Sequence, residues 1–279
     1  MNKAYIFTVH HKKDIAIDIF LKYFNPIQVG AAISDESLGI DRDDFGDNIS
    51  SKNKNYCELT AHYNIWKRNL PVDFIGLMHY RRVFSTKSSL KSILTNELKF
   101  IFNRIFLLRL KFALNKQIKI SDKSKLDAVC KEFNSFLLNE DLDLDLILPK
   151  KIKFQFFSVK ENYFLNHCRS HFDIFNNIIF REYPEMKKAV EKVCSSKEMY
   201  AYNMFVMRKE IFDDYSSRLF NVLEKAELVI DVKYLDLYQK RIFGFLSERF
   251  LNYYVQYLIE CKKIKIKELD IAFLEFENK

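Results

Sequence analysis

Basic and aromatic side chains follow two short apolar runs of the sequence. The run at 4–9 continues into VHHKK at 9–13, and the run at 74–78 continues into HYRR at 79–82. Strand alternation predicts that His79 and Arg81 share one face, with Tyr80 and Arg82 on the other. Guanidinium groups stay charged and can grip phosphate oxygens bidentately, so the two arginines are candidates for binding a diphosphate. The alternative is that one arginine pairs with a carboxylate of the 41–47 loop and the other is solvated.

Glu248 is the candidate acid–base group. It lies in GFLSERF at 244–250, one turn into a helix predicted to begin after Gly244, so its carboxylate is expected near a helix N-terminus. A carboxylate in that position can accept a hydrogen bond from a substrate hydroxyl or remove its proton. An ordinary role is also open, because Glu248 can cap its own helix or pair with Arg249 or Arg241.

Two acidic clusters could hold a hard cation through carboxylate oxygens. One lies at 41–47 and the other at 141–145, and neither matches the EF-hand loop. A solvated loop and a polar strand face are the competing interpretations. The six histidines show no HExxH spacing, and no metal-binding residues are assigned.

The composition excludes two common phosphate-binding motifs. The 279 residues include only five glycines, and these form neither a Walker loop nor GxGxxG. The five cysteines never occur as CxxC, which favours a reducing compartment over a structural zinc site. Neither a signal peptide nor a membrane-spanning run is expected.

The formal net charge of +8 predicts an anionic partner and is unevenly distributed. Residues 86–119 carry eight basic side chains and one acid, so most of the excess lies there. An apolar stripe at helical spacing runs through the same segment: Leu90, Leu94, Leu98, Ile101, Ile105, Leu108 and Phe112. This pattern predicts contact with an anionic membrane surface through residues 87–119. A core helix with a solvated basic rim is the alternative.

Strands and helices are predicted to alternate along the chain. The expected strands cover 4–9, 74–78, 141–150, 201–207 and the C-terminal 262–276, and the expected helices cover 50–69, 161–200 with a break near Pro184, 209–227 and 244–260. This order predicts an α/β fold with a mostly parallel sheet flanked by helices. We expect one domain over 1–279, with 86–140 as a basic amphipathic helical insertion. Ligands of such sheets bind at the carboxyl ends of the strands, where VHHKK and HYRR are expected.

Five stretches of the chain carry a family resemblance. They are, in order, DDFGDNISSKNKNYCELTAHYNIWK, DFIGLMHYRRVF, DLILPKK, YNMFVMRKEIFDDY and GFLSERF. Together they closely resemble the bacterial family catalogued as domain of unknown function 4422, whose members look like glycosyltransferases of capsule, lipopolysaccharide and exopolysaccharide gene clusters. The resemblance extends from residue 5 to about residue 255, and 86–140 is its least family-like part.

The resemblance implies a nucleotide-sugar-dependent transferase with a GT-A-like, Rossmann-type fold. It implies transfer of a hexose, such as galactose or galactofuranose, from a UDP-sugar to a lipid-linked or growing surface polysaccharide. The protein is then expected in the cytoplasm, peripheral on the inner face of the bacterial membrane. The strand end where most relatives carry a metal-binding DxD has HYRR here. Dependence on Mn²⁺ or Mg²⁺ is therefore left open, and the two arginines are expected to neutralise the leaving diphosphate.

Site residues are carried over from the matching motifs and the ends of the strands. The expected catalytic residues are Glu248, Arg81, Arg82 and His79. The residues expected around the nucleotide sugar are Val9, His10, Lys12, Asn48, Ser50, Lys52, Asn53, Glu58, Tyr80 and Asn203. The alternative function is a basic nucleic-acid-binding protein without catalytic activity. Since neither an RNP-like strand nor a helix-turn-helix pattern stands out, a nucleic acid is not expected as partner.

Overall fold

The computed structural model describes residues 3–86, 118–138 and 143–276. The strands are β1 (Ala4–His10), β2 (Asn25–Gln28), β3 (Asp41–Arg42), β4 (Phe74–His79), β5 (Arg82–Ser85), β6 (Ile118–Ile120), β7 (Leu146–Pro149), β8 (Ile152–Lys153), β9 (Glu198–Met199), β10 (Phe205–Arg208) and β11 (Ile266–Leu274). The helices are α1 (Ile17–Tyr23), α2 (Asn53–Tyr56), α3 (Leu59–Lys67), α4 (Lys123–Leu137), α5 (Val159–Asn166), α6 (Arg169–Glu182), α7 (Lys187–Ser195), α8 (Lys209–Glu227) and α9 (Ile242–Cys261).

The main sheet has a parallel half and a mixed half. Strands β3, β2, β1 and β4 are neighbours in that order and run parallel. Strand β10 pairs antiparallel with both β4 and β7, and β11 lies parallel to β7 and β6 but antiparallel to β5. The predicted α/β class is therefore correct, whereas the mostly parallel sheet describes only the first half.

Both faces of the sheet are covered, as expected for buried parallel strands. Strand β1 shows this directly, because Phe7 and Val9 pack into one core with α3, α8 and α9, while Ile6 packs into the other with α1 and α4. Strand β4 lies between β1 and β10, and its end is therefore surrounded by other elements. The residues that follow β4 are therefore held in place by the central strands of the sheet.

Two predicted elements differ from those observed. The helix predicted over 50–69 is divided, because Cys57 adopts φ 53° and ψ −130° between α2 and α3. The strand predicted over 201–207 begins only at Phe205, since Tyr202 and Asn203 have φ values of 76° and 49°. Non-glycine residues rarely adopt this left-handed region, which cannot continue a strand. The break near Pro184 is confirmed by a single 3₁₀ turn between α6 and α7.

The predicted insertion at 86–140 is partly integral to the fold. Strand β6 pairs with β11, and α4 packs against α1 and β5. Lys119, predicted in the basic helix, lies in β6 instead and pairs with Glu275. The rest of that basic helix, over 87–117, lies outside the described residues, as does Asp141 of the second acidic cluster. In the described ranges, we find no helix long and apolar enough to cross a membrane.

Candidate active site

HYRR forms a tight turn between β4 and β5. His79 ends β4, Tyr80 and Arg81 form the turn, and Arg82 begins β5 directly opposite His79. Side chains directly opposite each other in an antiparallel pair lie on the same face. The prediction that His79 shares a face with Arg81 is therefore wrong, because the strand does not continue through the motif. His79 shares its face with Arg82.

A left-handed turn at Tyr202 and Asn203 lies against this face. His79 Nε2 donates a hydrogen bond to the Tyr202 carbonyl at 2.5 Å. The Arg82 guanidinium carbon lies 4.4 Å from the centroid of the Tyr202 ring, a cation–π contact. Arg82 Nε is buried and has no hydrogen-bond partner within the described part of the chain. Arg82 therefore brings an unused N–H donor to this turn.

Glu248 meets the same turn from α9. Its Oε1 accepts a hydrogen bond from the Tyr202 N–H at 3.1 Å, and its Oε2 pairs with Arg249 Nη1 at 3.1 Å. Burial raises the pKa of Glu248, and the negative charge of Glu58 adds to this, while Arg249 opposes it. Its side chain is 23% exposed, so Glu248 is largely but not completely shielded from solvent.

The observed position and ion pair of Glu248 differ in part from those predicted from the sequence. Helix α9 begins at Ile242 rather than after Gly244, so Glu248 lies in its second turn. Glu248 forms an ion pair with Arg249, one of the two arginines predicted as partners if its role were structural. Arg241, the other proposed partner, instead donates from Nε to Cys57 Sγ at 3.3 Å.

Asn203 connects Glu58 to α9. Its Nδ2 lies 2.7 Å from Glu58 Oε1, 2.8 Å from Ser247 Oγ and 3.2 Å from the Gly244 carbonyl. The side chain is almost completely buried. The geometry therefore gives Asn203 a positioning role for Glu58, and the predicted direct contact with a sugar would need its buried Oδ1.

The surroundings of His79 lower its proton affinity. Burial lowers its pKa, the charge of Arg82 lowers it further, and Glu58 opposes both. A neutral imidazole at neutral pH carries one N–H, and the contact with the Tyr202 carbonyl requires that proton on Nε2. His79 therefore holds the Tyr202 turn and is not a ready proton donor.

Four residues predicted around the nucleotide sugar build the segment before Glu58. Asn48 donates to the Gly46 carbonyl, Ser50 donates to Asp43, Lys52 pairs with Glu227, and Asn53 donates to the Cys57 carbonyl. These contacts are within the protein, and they set the path of the chain into α3. Contact with a nucleotide sugar stays a prediction for these four residues.

The end of β1 lies beside Tyr80. The Val9 carbonyl accepts a hydrogen bond from the Tyr80 N–H at 3.0 Å. His10 is fully buried, and its ring nitrogens are within hydrogen-bonding distance of Thr8 and Asp14. Lys12, by contrast, is exposed and lines an open cavity of about 1490 Å³. Of these predicted nucleotide ligands, Lys12 offers a free side chain, whereas His10 supports the strand end.

The acidic loop is neutralised within the protein. Asp41 pairs with Arg68, Asp44 with Arg42, and Asp47 with Lys67. Asp43 is fully buried and accepts hydrogen bonds from the Gly30 and Ala31 N–H groups. Asp143 and Asp145 of the second cluster pair with Lys265 and Arg208. Across 3–86, 118–138 and 143–276, no group of three or more His, Cys, Asp or Glu side chains could hold a metal ion.

The arrangement around Tyr202 occurs in a chain of a recognised family. Residues 5–259 match the model described as Domain of unknown function (DUF4422). The chain belongs to this family. The resemblance drawn from the sequence motifs is thereby confirmed, and the match covers the HYRR turn, Tyr202 and Glu248.

The DUF4422 chain is also similar to a solved glycosyltransferase structure. The apo structure of WbbM, a bifunctional glycosyltransferase, matches with a TM-score of 0.79 and 29% sequence identity. The match covers 99% of the DUF4422 chain and 46% of the WbbM chain, so this chain spans about half the length of WbbM. No curated protein matches the chain.

Not all predicted residues of the DUF4422 chain come together. Six side chains, which we call the Tyr202 cluster, meet at the end of β4: Glu58, His79, Arg82, Tyr202, Asn203 and Glu248. Arg81 is exposed, and its Nε lies 3.4 Å from the Leu274 carbonyl. Sequence reasoning missed Tyr202 because its role depends on the backbone N–H and carbonyl of a left-handed turn, which residue types do not reveal.

Proposed function

We propose that the protein is a nucleotide-sugar-dependent glycosyltransferase that moves a hexose from a UDP-sugar to a glycan acceptor. The observation that carries the proposal is that Arg82 and Glu248 both contact the Tyr202 turn. A fixed cation and a carboxylate with a raised pKa are two groups that such a reaction can use. The family membership and the similarity to a glycosyltransferase support it.

Arg82 is proposed to neutralise the leaving diphosphate. Its guanidinium lies against the rings of both Tyr202 and Phe273, at 4.4 and 5.5 Å from their centroids. An arginine whose orientation is fixed before the reaction stabilises developing negative charge without reorganisation. Arg81 lies at the exposed end of the same turn and is proposed to contact the outer phosphate. The uridine would then lie toward the β1 end, near Val9 and Lys12.

Glu248 is proposed as the general base for an inverting reaction. The pKa of Glu248 is raised toward neutral pH, which makes the ionised carboxylate a stronger base for removing a proton from an acceptor hydroxyl. The Tyr202 N–H and Arg249 fix both of its oxygens. If the anomeric configuration is retained, Glu248 would position the substrate instead, and NMR of the anomeric product distinguishes the two cases.

The strand order supports a GT-A-like assignment of the fold. Parallel strands β3, β2, β1 and β4 are followed by the antiparallel β10. The proposed site lies at the carboxyl ends of β1 and β4, where open α/β sheets bind ligands. We include in the proposal a galactose or galactofuranose donor, a lipid-linked or growing surface polysaccharide as acceptor, and a peripheral location on the inner membrane face. The excess of basic residues in 87–119 supports this location, because basic residues are attracted to an anionic membrane surface.

A thermal-shift panel tests the donor assignment. Purified protein is heated with UDP, GDP, CMP and their sugars, each with and without MnCl₂, because a ligand that binds the folded state raises Tm. We expect UDP and at least one UDP-hexose to raise Tm. Comparison of the shifts with and without MnCl₂ shows whether a metal contributes to nucleotide binding. Salt-sensitive binding to arbitrary DNA without a shift from any nucleotide would favour the nucleic-acid-binding alternative.

A further inference from the structure

One narrow stripe of α9 remains accessible to solvent near the Tyr202 cluster. Between residues 242 and 255, every residue of α9 is buried except Phe245 and Glu248. The residue before α9, Arg241, is exposed. Phe245 and Glu248 are spaced as i and i+3, so their side chains lie on one helix face, and Arg241 contacts Phe245 from just before the helix. The only accessible face of this helix segment therefore leads from Arg241 through Phe245 to Glu248.

Aromatic rings surround the middle of this stripe. The ring of His167 stacks on Phe245 with centroids 4.1 Å apart, and Tyr238 packs on Phe245 at 5.0 Å. Tyr238 and His167 also stack on each other at 5.8 Å and 18°. The His167 Nδ1 lies 3.1 Å from Gln239 Oε1, which fixes the imidazole ring. We call Phe245, His167 and Tyr238 the aromatic platform.

The platform has both an exposed edge and hydrogen-bond donors. Tyr238 is 52% exposed, although it contacts two other rings. The Arg241 guanidinium lies 5.6 Å from the Phe245 ring centroid. Burial lowers the pKa of His167, which favours its neutral form, whereas the Arg241 guanidinium beside Phe245 is positively charged. Flat apolar faces beside a guanidinium fork match a sugar ring, which has C–H groups on its faces and hydroxyls at its edge.

We infer that the aromatic platform binds a sugar ring of the acceptor glycan, with Arg241 donating hydrogen bonds to its hydroxyls. The inference rests on the proposed function, because an acceptor hydroxyl must lie against Glu248. Phe245 and Glu248 are three positions apart, about 4.5 Å along the helix axis. A glycan whose reactive hydroxyl is at Glu248 therefore extends along the accessible stripe onto the platform.

Saturation-transfer NMR with simple glycosides tests this inference. The probes are methyl β-D-galactopyranoside, methyl β-D-galactofuranoside, methyl α-D-mannopyranoside and methyl β-D-glucopyranoside. We expect saturation transfer to the ring C–H protons of at least one glycoside. Tyr238→Ala and Phe245→Leu should each raise its Kd by up to about tenfold, since each removes a stacking face. Absence of transfer to all four glycosides would overturn the inference.

Tyr234→Ala is the matched control. Tyr234 lies on the same connection between α8 and α9 and is 91% exposed, so its loss should leave glycoside binding unchanged. Equal losses in Tyr234→Ala and Tyr238→Ala, or unchanged binding in both platform variants, would contradict the assignment. UDP binding is measured on the same samples by thermal shift. Retained UDP binding without glycoside binding refutes the platform alone, whereas glycoside binding without UDP binding refutes the proposed donor.

Discussion

The backbone N–H of Tyr202 donates a hydrogen bond to Glu248 Oε1 at 3.1 Å. The carbonyl of the same residue accepts from His79 Nε2, and its ring lies under Arg82. One left-handed residue thus joins the end of β4 to the second turn of α9. A non-glycine residue in this conformation costs about 1–3 kcal/mol, and its contacts on three sides hold it in place.

Glu248→Gln tests the proposed base. Glutamine keeps an oxygen that can accept the Tyr202 N–H, but it cannot take up a proton. We expect the rate of sugar transfer to fall about 10²- to 10⁴-fold, with the thermal shift by UDP unchanged. The measurement is the initial rate of UDP release from the UDP-hexose that raises Tm. A rate within twofold of wild type would remove Glu248 from the reaction.

The pH dependence should reflect the buried carboxylate. A general base must be ionised, and the pKa of Glu248 is raised above the usual 4.5, first by burial and then by Glu58. Activity should therefore fall as the pH decreases through a value above 4.5. A pH profile of kcat/KM reports this group in the free enzyme. The acid limb should disappear in the residual activity of Glu248→Gln, and a limb that persists there belongs to another group.

The two arginines of the HYRR turn should differ in importance. Arg82 lies in the Tyr202 cluster, whereas Arg81 is exposed and contacts the Leu274 carbonyl. Arg82→Ala should lower kcat/KM by about 10²-fold or more, and Arg81→Ala should cause a smaller loss. Steady-state kinetics with the same UDP-hexose compares them. A larger effect at Arg81 would show that the diphosphate lies on the outside of the turn.

Gly76→Ala tests the packing that supports the end of β4. A Cβ at Gly76 would lie 2.6 Å from Ile6 Cδ1 and 2.9 Å from Val206 Cγ2. Overpacking of this kind costs about 1–3 kcal/mol, so Tm should fall by several degrees. Gly244→Ala is the matched control, because its Cβ would meet its nearest neighbour, Cys57 Sγ, at 3.4 Å. Equal melting temperatures for Gly76→Ala and wild type would contradict the described packing.

Sequence patterns predicted the long elements well because burial imposes a clear period on them. Helix α8 is observed at the predicted bounds, and β4 extends only one residue beyond its predicted run. Local reversals of the backbone were not predicted. The HYRR turn, the break at Cys57 and the Tyr202 turn each depend on contacts with distant residues.

The sequence predicted which residues belong to the candidate site better than it predicted their contacts, because those contacts join distant parts of the chain. Arg82, His79 and Glu248 were predicted from the chemistry of their side chains and from their positions at a strand end or near a helix start. Asn203 and Glu58 came from the matching family motifs, but their contact joins residues 145 positions apart. The role of Arg241 beside Phe245 became clear only once the helix faces were known.

Sugar transfer itself is the most direct test of the proposed function. Wild-type protein and Glu248→Gln are incubated with UDP-galactose, UDP-galactofuranose and UDP-glucose in turn, together with the four methyl glycosides, and UDP and glycosylated products are quantified by mass spectrometry. We predict UDP release with formation of a disaccharide or free hexose from at least one donor, and a decrease of both by about 10²- to 10⁴-fold in Glu248→Gln. Absence of turnover with every donor, with and without MnCl₂, would contradict the proposed function, as would equal turnover in the two proteins.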